Sequence, residues 1–121
     1  MSTESNDDPV QFYLHEVGAI PALTMQEEIE LSQHVLAHDE QAESAGQRLI
    51  EANFAMVVAI AEQHGSAGIH VLELIQKGNE GLLLALNTLA DSSNERFSTH
   101  SAKCVERAIS NAIAESRLPR E

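Results

Sequence analysis

Residues 71–89 constrain this chain more than any other stretch. Val71, Leu74, Ile75, Gly78, Leu82, Ala85, Leu86 and Leu89 recur at three- and four-residue spacing. That period lines up one face of an α-helix and sends it into a core. Glu73, Gln76, Lys77 and Glu80 fall on the opposite side. Gly78 and Gly81 interrupt the pattern, and a glycine inside a helix costs about 1 kcal/mol relative to alanine. Something close must reward the missing side chains. Two rewards fit: tight packing of a neighbouring helix, or a docking face formed by Glu73, Gln76, Lys77 and Asn79 that a partner helix approaches over the glycines.

The rest of the chain supplies helices for this one to pack against. Residues 1–7 are short, polar and acidic, and are expected to be disordered. Asp8 is a good N-cap and Pro9 suits a first helical position, with Gly18 as the stop. Pro21 marks residues 19–23 as an extended connector. Thr24-Met-Gln-Glu27 then matches a capping box, opening a helix whose expected buried side is Ile29, Val35 and Leu36. The polar run 40–47 leads into a third helix carrying Leu49, Ile50, Phe54, Val57, Val58 and Ile60, apolar on most sides and therefore central. Gly65-Ser-Ala-Gly68 reads as a turn. A last helix, with Ser98 or Thr99 as the expected cap, buries Ala102, Val105, Ile109, Ala112 and Ile113 and stops near Pro119. Five helical segments without strand alternation predict an all-α fold, a compact bundle of about five helices.

Charge limits the partners. The chain of 121 residues carries a formal net charge of −12, which opposes free-standing nucleic-acid binding because such affinity comes from neutralising phosphates. The distribution is uneven. Arg48 and Lys77 are the only basic residues before position 91, whereas residues 91–121 hold Arg96, Lys103, Arg107, Arg117 and Arg120. Only the last third can face DNA. One cysteine, Cys104, excludes an internal disulfide, and no secretion signal opens the chain, so the cytoplasm is the expected compartment. The longest apolar run, residues 54–61, falls far short of the roughly 20 residues a membrane helix needs.

A family resemblance emerges from the motifs taken together. Asp8-Pro-Val-Gln-Phe-Tyr-Leu-His-Glu-Val-Gly-Ala-Ile-Pro21, Leu23-Thr24 and Glu27-Glu-Ile-Glu-Leu31 resemble region 1.2 of the sigma-70 family of bacterial transcription initiation factors. Arg48-Leu-Ile-Glu-Ala-Asn53, Leu74-Ile-Gln-Lys-Gly-Asn79, Gly81-Leu82, Phe97-Ser-Thr99 and Arg107-Ala-Ile-Ser110 follow in the order of region 2. The resemblance implies region 1.2-like helices over 8–38 and a region 2-like domain over 39–118, with 119–121 as the end, in a truncated or divergent member.

The resemblance also implies partners and sites. Glu73, Gln76, Lys77, Asn79 and Glu80 would bind core RNA polymerase, at the clamp coiled coil of its largest subunit. Lys77 departs from the acidic residue usual there, and Glu80 from an apolar one. Phe97, Thr99, His100, Lys103, Arg107, Ser110 and Asn111 would contact the minus-ten promoter strand. Capturing single-stranded bases needs aromatic platforms and basic groups. Here His100 replaces a usual tyrosine, Lys103 and Cys104 replace paired tryptophans, Arg107 replaces a glutamine and Glu106 a basic residue, while the loop before Phe97 is acidic. An alternative reading follows: a regulatory module that occupies the polymerase clamp or an anti-sigma partner without opening promoters.

Other constellations carry less. Glu30, His34 and His38 share a helix face at metal-ligand spacing, but an exposed polar face explains them equally and no third strong ligand is evident, so no metal or other cofactor is expected. Cys104 reads as a small core or surface residue, with no histidine partner evident. No pair of carboxylates is marked for catalysis, and no enzyme activity is expected.

Overall fold

The computed structural model describes residues 9–65, 67–92 and 95–118. Among them are α1 (Pro9–Gly18), α2 (Met25–Ala37), α3 (Ala42–Ala52), α4 (Phe54–Gln63), α5 (Val71–Asn87), a short 3-10 turn (Leu89–Ser92) and α6 (Phe97–Ser116), with no strand. This is the expected all-α bundle. Its third segment is divided into α3 and α4 at Asn53. The buried Asn53 side chain donates from Nδ2 to the Leu49 carbonyl at 2.7 Å, a local bond that competes with the helical ladder. Most of the polar run 40–47 lies inside α3, turning Ala45 and Gly46 inward. Residues 1–7, the expected cap Asp8 and the expected stop at Pro119 lie outside the described residues.

The core forms where α4, α5 and α6 meet. Leu49, Val57, Val58, Leu74, Leu82, Val105 and Ile109 are fully enclosed there. Helices α5 and α6 run antiparallel, since Gly78 meets Val105 and Ile109, Gly81 meets Cys104 and Ala108, and Thr88 meets His100. A Cβ built on Gly81 would stand 2.6 Å from the Cys104 carbonyl oxygen and 2.9 Å from Ala108 Cβ; one on Gly78 would stand 2.7 Å from Val57 Cγ1. Tight packing within the chain therefore rewards both glycines.

The capping box of α2 forms as expected. Thr24 N donates to Glu27 Oε1 at 2.9 Å, and Glu27 N donates to Thr24 Oγ1 at 3.1 Å. The buried side of this helix differs from expectation. Ile29 and Leu36 remain 38% and 41% exposed and Val35 is half-buried, whereas Glu28 is only 3% exposed. The inward face runs through Glu28, Leu31 and Val35 because a polar partner waits for the carboxylate. Glu28 Oε2 accepts from Ser98 N at 2.6 Å, and Oε1 accepts from Arg96 Nε and Nη2, each at 2.7 Å. Glu28 thus performs the capping expected of Ser98 or Thr99. Helix α6 opens at Phe97, and its N-cap Arg96 makes no side-chain cap of its own.

The turn from α2 to α3 engages the first histidine of the expected metal-spaced row. His38 ends α2 in the left-handed region at φ 54. His34 Nδ1 lies 2.6 Å from Asp39 Oδ2, and Asp39 Oδ1 accepts from Gln41 N at 2.9 Å. The bond to His34, helped by that from Gln41, holds the Asp39 carboxyl below the usual carboxylate range. No helix among the described residues is long and apolar enough to cross a membrane.

Candidate functional site

Two outer surfaces hold the candidate residues, one on α5 and one on α6. On α5 the 3.6-residue period leaves Glu73, Gln76 and Glu80 exposed along one side, with Lys77 half-buried beside them. Lys77 Nζ stands 3.9 Å from Glu80 Oε1, with the Lys77 side chain 44% and the Glu80 side chain 70% exposed, so water screens the pair and it contributes at most about 1 kcal/mol. The departures at these two positions therefore face one another. Asn79 stands apart from this row. It is turned toward α1, where Nδ2 donates to the Tyr13 hydroxyl at 3.4 Å while Oδ1 is buried without a hydrogen-bond partner.

Sequence reasoning missed the apolar end of the same face. Leu83 and Leu84 are 51% and 52% exposed, one turn beyond Glu80. Single exposed leucines are ordinary on a protein surface. Two of them beside a polar row make a face that combines a water-excluding patch with charged edges. Their signal was present in the sequence, where three consecutive leucines, 82 to 84, exceed what one helix face can bury.

On α6 the structure brings His100, Lys103 and Arg107 together around a cleft of about 410 Å³, whose other walls are Asp91, Ser92, Glu95 and Cys104. His100 is anchored from α5. The Thr88 hydroxyl gives its proton to the Leu84 carbonyl at 2.8 Å, so His100 Nε2, 2.9 Å from Thr88 Oγ1, donates to it. The same nitrogen lies 3.9 Å from Cys104 Sγ. This corrects the expectation that Cys104 has no histidine neighbour, because a spacing of four residues brings the two together across one helical turn. Cys104 itself is 8% exposed and lines the core as well as the cleft.

The remaining promoter-strand candidates separate. Phe97 is 1% exposed and packs in the core, with no ring face turned to solvent. Thr99 and Asn111 are exposed on the outer side of α6. Ser110 borders a different depression, shared with Gln63, His64, Ala67, Ile113 and Arg117. Acidic side chains offset much of the basic character: Glu95 Oε2 pairs with Lys103 Nζ, and Glu106 Oε2 lies 2.8 Å from His64 Nε2. Glu95 and Asp91 were not among the expected site residues. Their signal was present in the acidic loop before Phe97, but the strand contacts that the family resemblance implies for this chain lie on the helix and not on that loop.

Apart from the buried Phe97 and the inward-turned Asn79, the candidate groups thus sit on the outer side of two antiparallel helices, and the described residues hold no cluster of three metal-ligating side chains. The arrangement defines an α-helical domain with one exposed, partly polar and partly apolar face on α5 and one charged cleft on α6. This chain belongs to the sigma-70 family: residues 8–41 match the Sigma-70 factor, region 1.2, and residues 49–118 match Sigma-70 region 2. It is 40% identical to the RNA polymerase sigma factor SigA of Lactococcus lactis subsp. cremoris over 90% of its own length and 30% of that protein's. Against the SigA proteins of a Bacillus species and of Clostridium acetobutylicum the identities are 38% and 40%, again over 90% of this chain and 28% of theirs. The chain spans under a third of the length of these curated relatives.

Proposed function

We propose that this chain is a transcription initiation domain that docks on core RNA polymerase through the outer face of α5 and contacts the minus-ten promoter strand, more weakly, through α6. The observation that carries this reading is the exposed row Glu73, Gln76 and Glu80, with Lys77 beside it, on the central helix of a domain that matches region 2. The clamp coiled coil of the largest subunit is the docking partner in this reading, and Leu83 and Leu84 extend the contact. Asn79 contributes by holding α5 against Tyr13 rather than by direct contact. Such a partner places the chain in the cytoplasm, where it acts by binding and not by catalysis.

On α6, the groups offered to DNA are Thr99, His100, Lys103, Arg107, Ser110 and Asn111, with Phe97 supporting the helix start from within. Lys103 and Arg107 supply charge for phosphates; no aromatic ring among these groups supplies a stacking surface. That absence of platforms favours a second reading, in which the chain occupies the polymerase clamp, or an anti-sigma partner, as a regulator that does not open promoters.

A titration of core polymerase with the labelled chain tests the docking face. Gln76→Ala and Glu73→Lys should each weaken binding, Glu73→Lys by about tenfold through lost complementarity at a charged rim. A fluorescent minus-ten single strand added to the complex then separates the readings, since capture supports initiation and its absence supports the regulator. Failure of the chain to bind core at all would overturn both polymerase-docking readings and leave only the anti-sigma partner.

A further inference from the structure

The cleft on α6 holds an internal occupant. Glu95 enters it from the segment before the helix, and its two carboxylate oxygens face two different groups: Oε2 pairs with Lys103 Nζ, while Oε1 stands 3.9 Å from His100 Nδ1. Only 30% of the Glu95 side chain is exposed, against 60% for Lys103. Arg107 lines the same cleft, and so does a second carboxylate, Asp91. Two permanent cations, Lys103 and Arg107, therefore share the cleft with two carboxylates, and the local charge is close to neutral. A carboxylate presents two oxygens and one negative charge, as a phosphodiester presents its two non-bridging oxygens, and here one of the two is already paired with Lys103.

We propose that Glu95 is an intramolecular competitor for a phosphate of a single-stranded nucleic acid, so that the strand enters by displacing Glu95 from Lys103 and is held in this cleft by its backbone rather than by a stacked base. The inference rests on the reading that α6 contacts a promoter strand, and adds what controls that contact. With Glu95 in place, an arriving phosphate gains Arg107, which has no acidic partner among the described residues, and meets the repulsion of two carboxylates. With Glu95 displaced it gains Lys103 as well. Backbone contact also suits the chemistry of the walls, because the lining groups are an ammonium, a guanidinium, an imidazole, a thiol, a hydroxyl and two carboxylates, none of which offers a broad stacking surface comparable to tryptophan. The gate is weak by construction, since an exposed ion pair contributes little. It would suit a domain that should engage DNA only when a partner raises the local strand concentration.

The test is an NMR titration of the ¹⁵N-labelled chain with hexathymidylate at about 0.1 M salt, where screening limits the repulsion from the net charge of −12. Glu95→Gln should bind about three- to fivefold tighter than the unaltered chain, the scale set by one exposed ion pair, with shifts centred on His100, Lys103 and Arg107. Adding Lys103→Ala to Glu95→Gln should remove the gain. Glu115→Gln makes the same change in net charge at an exposed position of α6 outside the cleft and should leave affinity near the starting value. If both glutamine variants tighten binding equally, the effect is the global field and the gate is overturned. If the unaltered chain binds at the cleft and Glu95→Gln binds no tighter, the gate is overturned while the strand-contacting reading stands. If neither the unaltered chain nor Glu95→Gln shows shifts on α6, the gate is overturned, and the strand-contacting reading stands or falls on capture by the complex with core polymerase.

Discussion

Of the two glycines on α5, Gly81 has the less room. By intrinsic propensity, Gly81→Ala should stabilise a helix by about 1 kcal/mol. The packing reverses the sign. The new Cβ would meet the Cys104 carbonyl oxygen at 2.6 Å, and that oxygen belongs to the backbone of α6, so relief requires moving a helix rather than turning a side chain. Overpacking of this kind costs about 1–3 kcal/mol, and the backbone obstacle puts Gly81→Ala toward the upper end. Gly78→Ala meets Val57, Ile109 and Val105 side chains instead and should cost less. Urea denaturation of both variants checks the order; a Gly81→Ala protein as stable as the parent would mean that α5 and α6 separate at little cost. The presence of two glycines in an apolar period was legible in the sequence. Which neighbour they make room for was not, because it is set by the crossing of two helices that the sequence leaves separate.

Among the elements, α2 holds the beginning of α6. Glu28 was hidden from sequence reasoning because a glutamate in an amphipathic helix is ordinarily assigned to solvent, and its partner Ser98 N lies 70 residues away. Apolar periodicity instead selected Ile29 and Leu36, which face outward. Capping boxes are local and could be read, as Thr24 and Glu27 were; a cap supplied from another helix has no local signature. Helix N-termini attract carboxylates through their unpaired N–H groups and dipole. Glu28→Ala should therefore leave Ser98 N–H without its acceptor and release Arg96, at a cost of about 1–3 kcal/mol. Hydrogen exchange should show faster exchange in the first turn of α6, with the capping box of α2 unchanged. Equal protection in parent and variant would mean that water replaces the carboxylate without loss. The consequence reaches the cleft, since Glu95 precedes Arg96 directly and its placement depends on the same anchor.

For the molecule as a whole, the uneven charge is the property most tied to function. Acidic residues dominate the first ninety positions and the basic ones gather near α6, so the outer row of α5 carries Glu73 and Glu80 with one cation, Lys77, between them. The family resemblance places an acidic residue there, which sets up a charge-reversal prediction. If the partner surface is the basic one that an acidic position 77 would meet, Lys77 now faces like charge, and like-charge contacts at an interface can cost several kcal/mol. The 3.9 Å pair with Glu80 reduces that cost only slightly, because both groups remain solvated. Lys77→Glu should then strengthen binding to core polymerase by about tenfold or more, and the gain should shrink as salt is raised. Glu80 must be followed alongside it, because Lys77→Glu sets two carboxylates one turn apart; the double change Lys77→Glu with Glu80→Ile restores both positions to the family pattern and should bind at least as tightly. Weaker binding by both variants would show that the partner surface is acidic opposite position 77. Lys77 would then be matched to core polymerase itself, and its departure from the family pattern would favour docking rather than oppose it.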